Sequence, residues 1–184
     1  MSLILASASP RRRELLALVE PDFTVAAADV DERAVTAPDP ASLARALAQA
    51  KCLAVAGGHP RDIVIGCDTV VDVDGRVFGK PGDREEARRM LRALSGRSHL
   101  VHTGVCIRCG QQQELFADTT VVTFAPLDEA EIEAYIRTDE PYDKAGGYGI
   151  QGGAARFVTR LEGCYFNVMG FPVPRVYQAL KAFL

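Results

Sequence analysis

The sequence predicts an α/β fold built on a mixed sheet. Three observations carry this. Short apolar or β-branched runs alternate with capped, amphipathic helical segments along the 184 residues. Two hairpin signals break the alternation, so the sheet is not purely parallel. No repeat, low-complexity tract or long linker interrupts the pattern. Hydrophobic residues at 48% and charged residues at 24% describe an ordinary globular chain. A single domain spanning 1–184 is long enough to form a core without metal or disulfide staples.

Residues 3–6 read as a buried strand. Ser9 then serves as N-cap and Pro10 as first residue of a helix whose apolar side is Leu15, Leu16, Leu18 and Val19. Phe23 to Ala28 reads as a second strand. Asp39-Pro40 opens a helix with Leu43, Leu47, Ala50 and Ala54 on one stripe, ended by Gly57-Gly58. Asp62 to Val73 holds two β-rich runs on either side of Asp68-Thr69. Asp74-Gly75 is a two-residue hairpin turn returning through Arg76-Val77-Phe78. Asp83 and Glu86 form a capping-box pattern ahead of Ala87, Met90, Leu91 and Leu94, and Gly96 closes that helix. His99 to Phe124 makes two long strands joined near Gly110. Asp128 starts a helix that reaches about Arg137. Thr138 to Gly153, rich in glycine and turn formers, is expected to be an ordered functional loop. Leu161 to Met169 reads as a strand, and Pro172 to Leu184 as a terminal amphipathic helix.

The net charge of −3 provides no global basic field for a nucleic acid polymer, so any anion site must be local. No apolar run approaches membrane-spanning length, and Met1 to Ser7 has no basic n-region; a cytoplasmic location is expected. The five cysteines have an odd count and irregular spacing, unlike a secreted disulfide framework. Cys106 and Cys109 form a lone CxxC inside a β-like run, where their side chains point to opposite faces; no second pair or histidine completes a zinc site. Gly79-Lys80-Pro81 lacks the spacing and the Ser/Thr of a P-loop.

Arg11, Arg12 and Arg13 break a rule. Positive charge in the first turn of a helix opposes its dipole, at roughly 0.3–1 kcal/mol each when exposed. The conflict is relieved if an anion sits at the helix N-terminus, where free backbone N–H groups point outward. The guanidinium fork suits phosphate. Ser7-Ala8-Ser9-Pro10-Arg11-Arg12 therefore reads as a strand–turn–helix phosphate cradle, with Arg13 exposed.

Five segments in order then resemble the Maf family of nucleoside triphosphate pyrophosphatases, almost end to end. They are Leu5-Ala6-Ser7-Ala8-Ser9-Pro10-Arg11-Arg12, Gly66-Cys67-Asp68-Thr69-Val70-Val71, Gly79-Lys80-Pro81, the long signature from Glu140 through Tyr142-Asp143-Lys144-Ala145-Gly146-Gly147-Tyr148-Gly149-Ile150-Gln151-Gly152, and Asn167-Val168-Met169-Gly170-Phe171-Pro172. The resemblance implies an inosine-triphosphatase-like fold of two lobes around an elongated mixed sheet with flanking helices and the site in the cleft. It also implies a divalent cation and a homodimer.

By the same resemblance Asp68 is the proton acceptor that activates water for attack at the α-phosphorus. Its place after Ile63-Val64-Ile65-Gly66-Cys67 suggests a strand end at a cleft edge. Lys51 and Lys80 become catalytic phosphate ligands, although Lys51's helix position by itself favours solvent. Ser7, Arg11 and Arg12 bind phosphate. Glu32, with Asp68, is implied to hold the cation; carboxylate and phosphate oxygens suit Mg²⁺ or Mn²⁺ rather than zinc. The cations neutralise a triphosphate that otherwise repels a nucleophile. His59, His99 and His102 are left as structural.

The family has a branch acting on dTTP and UTP and a branch acting on 7-methyl-GTP. Arg12, Thr69 and Gln151 match the pyrimidine branch, and a carboxamide both donates to and accepts from a uracil or thymine edge. A third reading the resemblance carries is a nucleotide-binding regulator of septum formation. The chain departs from the family pattern at Ala8, Cys67 and Phe171, and Cys67 beside Asp68 is expected to make the protein sensitive to thiol oxidation.

Overall fold

A computed structural model describes residues 1–184. One seven-stranded sheet has the order β2-β1-β3-β5-β6-β7, with β4 paired to β3 off that path. β1 (Leu3–Ala6) pairs in parallel with β2 (Phe23–Val25) and β3 (Ile63–Val73). All other pairings are antiparallel: β3 with β4 (Arg76–Phe78) and β5 (Ser98–Cys109), β5 with β6 (Gln112–Phe124), and β6 with β7 (Val158–Glu162). The sheet is mixed, as the hairpin signals require.

The helices are α1 (Pro10–Ala17), α2 (Pro40–Ala56), α3 (Arg84–Leu94), α4 (Glu129–Ile136), α5 (Tyr165–Val168) and α6 (Val173–Leu180). Their starts follow local chemistry. Ser9, Asp39, Asp83 and Asp128 each cap a helix, their side-chain oxygens accepting a backbone N–H from the first turn. The reciprocal capping box is at Asp128 and Glu131. At Asp83 the box is displaced by one residue, because Glu86 accepts from the N–H of Gly82 instead. Asp74 and Gly75 both have positive φ, 53° and 78°, and make the tight turn between β3 and β4.

The two faces of the sheet are covered differently. On one face, α1, α5 and α6 bury Leu5, Ile65, Val105 and Ile107 at one end. On that same face, α3 and α4 bury Val71, Val73, Val101 and Phe124 at the other end. These two apolar clusters divide that face of the sheet between them. The opposite face is covered by α2, which packs Ala44, Leu47, Cys52 and Val55 onto Ile4, Val64, Val70 and Cys106. Cys106 and Cys109 do face opposite sides, since Cys109 packs against the other cluster.

Three expectations are corrected. Ile63–Val73 is one continuous strand of 11 residues rather than two runs. The segment read as a strand over 161–169 splits into β7, a turn at Gly163 with φ 129°, and the short helix α5. Its apolar residues are shared between sheet edge and helix. In α1, Leu18 is exposed, because the helix ends at Ala17 and the chain turns away.

The buried face of α2 is also rotated from the expected stripe. Ala44, Leu47, Ala48, Cys52 and Val55 are buried, not Leu43, Ala50 and Ala54. Small residues decide this. A Cβ built on Gly66 would lie 2.3 Å from the carbonyl oxygen of Ala48, and one on Gly104 would lie 2.0 Å from that of Ala44. The helix backbone therefore lies directly on two glycines in neighbouring strands.

Two predictions follow from this packing. Gly104→Ala should lift α2 off the sheet and cost about 1–3 kcal/mol or more by overpacking, read by urea denaturation. His99, buried and bonded to the Tyr148 hydroxyl at 2.6 Å, is held by burial at a pKa of about 4, below its ordinary 6.5. The unfolded chain thus binds more protons between those two values, so stability should fall as pH drops from about 6.5 to 4. His99→Phe should flatten that part of the melting temperature–pH curve.

Candidate active site

The cleft opens where one edge of β3 is bare. β1 pairs with Ile63–Gly66 and stops at Ala6. On the same strand β4 pairs only with Val71–Val73. Between these, Cys67–Val70 has β5 on one side alone. The chain leaving β1 forms one rim, Ser7 to Arg12, and the chain leaving β4 forms another, Gly79 and Lys80. The resulting cavity is about 810 Å³, within the range of small-molecule sites.

Ser7, Arg11, Arg12, Glu32, Lys51, Asp68, Thr69, Lys80 and Gln151 all line this cleft. Asp68 is not at a strand end. It lies in the middle of β3, opposite Gly104 of β5, and reaches the cleft because the neighbouring strand stops, not its own.

Lys51 is the centre of the charged cluster. Its Nζ donates to Asp68 Oδ1 at 2.5 Å and pairs with Glu32 Oε1 at 2.7 Å. Its side chain is only 13% exposed, so it does not run into solvent as its helix position suggested. The rotation of α2 explains this: Lys51 follows Ala48 by three residues and precedes Val55 by four, on the buried side. Glu32 comes from a short 3₁₀ turn, Glu32–Ala34, capped by Asp31.

Arg12 ties three sequence motifs together. Its Nε donates to the carbonyl of Gly170 at 2.9 Å, Nη2 to Thr69 Oγ1 at 3.1 Å and Nη1 to Ser7 Oγ at 3.4 Å. Thr69 Oγ1 lies 3.0 Å from Thr103 Oγ1, and Thr103 donates its proton to the carbonyl of Asn167 at 2.9 Å. A hydroxyl has one proton, so Thr69 donates to Thr103 and accepts from Arg12. Two of the three positions expected to set base choice are thus joined by a hydrogen bond. Arg11 is half-buried at the rim, Arg13 is exposed, and Lys80 is exposed beside the cleft.

Across the cleft the glycine-rich segment is ordered into three 3₁₀ turns, Glu140–Asp143, Ala145–Gly147 and Gly153–Phe157. Tyr148 anchors it in the aromatic cluster of Phe124, Phe157 and His99.

A family model described as Maf-like protein matches residues 2–183. The chain belongs to the Maf family. Among its relatives is a protein named dTTP/UTP pyrophosphatase from Symbiobacterium thermophilum, 52% identical over 181 residues, covering 98% of this chain and 93% of the relative. Proteins of the same name from Koribacter versatilis and Bacillus velezensis are 50% and 49% identical, each covering 98% of this chain and 94% and 96% of their own length. Solved structures share the fold at low identity. The Ham1 protein of Staphylococcus aureus matches with a TM-score of 0.59 at 16% identity over the full length of both chains. A HAM1 protein from Coxiella burnetii gives 0.52 at 13%, over 100% of this chain and 98% of that one. The α/β fold expected from the resemblance is therefore the fold found.

In this Maf protein the cleft holds two charged residues that the sequence reading passed over, Asp143 and Lys144. Lys144 Nζ pairs with Asp143 Oδ1 at 2.5 Å and donates to the carbonyl of Glu140 at 3.0 Å. Their signal was available as charges inside a glycine-rich loop. The expectation for Cys67 is corrected. Its side chain points away from Asp68 into the apolar cluster beneath α1 and α6 and is fully buried. Burial pushes the thiol up to about 12, and the thiolate is the reactive form. Alkylation of the folded protein at pH 8 should label the partly exposed Cys109 and Cys164 and spare Cys67, as read by peptide mass mapping.

Proposed function

We propose that this chain is a nucleoside triphosphate pyrophosphatase acting on dTTP and UTP, releasing the monophosphate and pyrophosphate. The observation that carries this reading is the Glu32–Lys51–Asp68 cluster within one cleft that also presents Arg11, Arg12 and Lys80. Relatives about half identical over nearly the whole chain and named for that activity support it.

In the proposed mechanism the triphosphate lies across the α1 N-terminus. Arg11, Lys80 and the free donors of Arg12 draw charge from the phosphates, and their interaction strengthens as charge spreads in the transition state. Lys51 holds Asp68 in place through Oδ1, and the Asp68 carboxylate accepts the proton of the water that attacks the α-phosphorus. The bond from that phosphorus to the bridging oxygen breaks, and pyrophosphate leaves. Thr69 and Arg12, fixed by their mutual hydrogen bond, and Gln151 read the pyrimidine.

Glu32 and Asp68 would hold a divalent cation. No group of three or more His, Cys, Asp or Glu gathers in the molecule, and Mg²⁺ commonly takes one or two carboxylates and fills its shell with substrate phosphates and water. The donor set fits Mg²⁺ or Mn²⁺, which when bound neutralises phosphate charge and polarises the phosphoryl oxygens.

The test is pyrophosphate release from dTTP, UTP, 7-methyl-GTP and the common triphosphates, with and without Mg²⁺. Metal-dependent cleavage of dTTP and UTP is expected. Cleavage of 7-methyl-GTP alone would overturn the base assignment, and tight binding without turnover would favour a regulator. Asp68→Asn should lower turnover by roughly 10²–10⁴-fold, the usual contribution of a general base, while nucleotide affinity by calorimetry stays within a few-fold.

A further inference from the structure

Glu140 stands 11 residues before Gln151 in the sequence, yet its carboxylate is built into the turn that carries Gln151. Oε2 accepts the backbone N–H of Gly153 at 2.8 Å, and Oε1 that of Ala154 at 3.5 Å. Oε1 also accepts the Tyr135 hydroxyl at 2.8 Å. The same Tyr135 oxygen accepts the N–H of Gly149 at 3.3 Å. Gln151 is thus bracketed, with Gly149 tied on one side through Tyr135 and Gly153 tied on the other through Glu140. The carboxylate lies so close to the turn that a Cβ on Gly152 would sit 2.3 Å from Oε1.

We infer that Glu140 is a positioning residue for substrate choice, holding the Gly149–Gly153 turn so that the exposed Gln151 carboxamide faces the cleft at a fixed place. The inference rests on the reading of Gln151 as the residue that meets the base.

The chemistry of the site explains why a carboxylate is required. Every group facing the two oxygens is a donor: two amides and one phenol. A carboxylate accepts all of them, whereas a glutamine of the same shape turns an NH₂ toward at least one. Tyr135 contributes only because it can donate to Glu140 and accept from Gly149 at once. Neither residue is among the side chains that line the cleft, so an effect on base choice must pass through the turn. Lys144 fixes the start of the segment independently by binding the Glu140 carbonyl.

The experiment measures kcat and KM on dTTP and dCTP for wild type, Glu140→Gln, Gln151→Ala and the double variant, with melting temperatures. dCTP presents an amino group where dTTP presents a carbonyl, so the ratio of kcat/KM reports Gln151. Glu140→Gln is expected to reduce the dTTP preference roughly tenfold, the scale of one misplaced polar contact, mainly through KM for dTTP. Adding Gln151→Ala to it should then cost little more selectivity, because the two act as one unit. Glu140→Asp, which keeps an acceptor-only group, should recover part of the preference. A folded Glu140→Gln protein with wild-type selectivity, or an equal loss on both nucleotides, would overturn the inference. If Glu140→Gln does not fold, Tyr135→Phe provides the same comparison and must lower the ratio. Failure of the underlying reading looks different: wild type would then show no dTTP preference, or Gln151→Ala would leave the preference intact.

Discussion

The contact on which the site depends is the seating of α2 directly on Gly66 and Gly104. With a Cβ clearance of 2.3 Å and 2.0 Å to the helix carbonyls, neither strand position accepts a side chain. The close approach brings the helix low enough for Lys51 to meet Asp68, which lies between the two glycines: two residues on from Gly66 in β3 and directly opposite Gly104 in β5. A helix riding at the usual distance on larger residues would leave the ammonium short of the carboxylate. Packing and chemistry here are the same event.

The second constraint is the interrupted edge of β3. A sheet strand usually satisfies its backbone on both sides, and a strand with one open stretch exposes unpaired groups. Here the open stretch lies between two different partners, β1 and β4, and the loops leaving them supply the cleft rims. Arg12 closes the gap by reaching from the first motif to the second and to the last. Local charge then overrides global charge. Arg11, Arg12, Lys51, Lys80 and Lys144 line the cavity against Glu32, Asp68 and Asp143, so an acidic chain presents a cationic excess where a triphosphate would lie.

Much of the fold was legible in the sequence because its signals are local. Ser9, Asp39 and Asp128 cap helices as side chains reaching their own first turn, and Asp74-Gly75 turns a hairpin through positive φ. The errors fall where local and tertiary preferences part. The apolar run over 161–169 has residues for a strand and for a helical turn, and only the end of β6's pairing decides between them. The face of α2 was misplaced because the stripe Leu43, Leu47, Ala50 and Ala54 has helical spacing too, whereas the tightest packing is made where the backbone at Ala44 and Ala48 lies on glycines. Glu140 was read as the first residue of a motif, and nothing in its spacing announces that its carboxylate returns to the motif's other end.

The sequence by itself determined the α/β class, the helix starts and the principal hairpins, and its resemblance to the Maf family singled out side chains that share a cleft. The class, the helix starts and the hairpins follow from cap chemistry, period and composition, which act over a few residues; the cleft residues follow from the resemblance alone. Tertiary structure alone decided that Lys51 faces inward, that Asp68 reaches the cleft by its neighbour's ending, that Cys67 is buried in the apolar core and that Arg12 braces three motifs. Each of these depends on distances between segments far apart in the chain, set by how closely one backbone can lie on another.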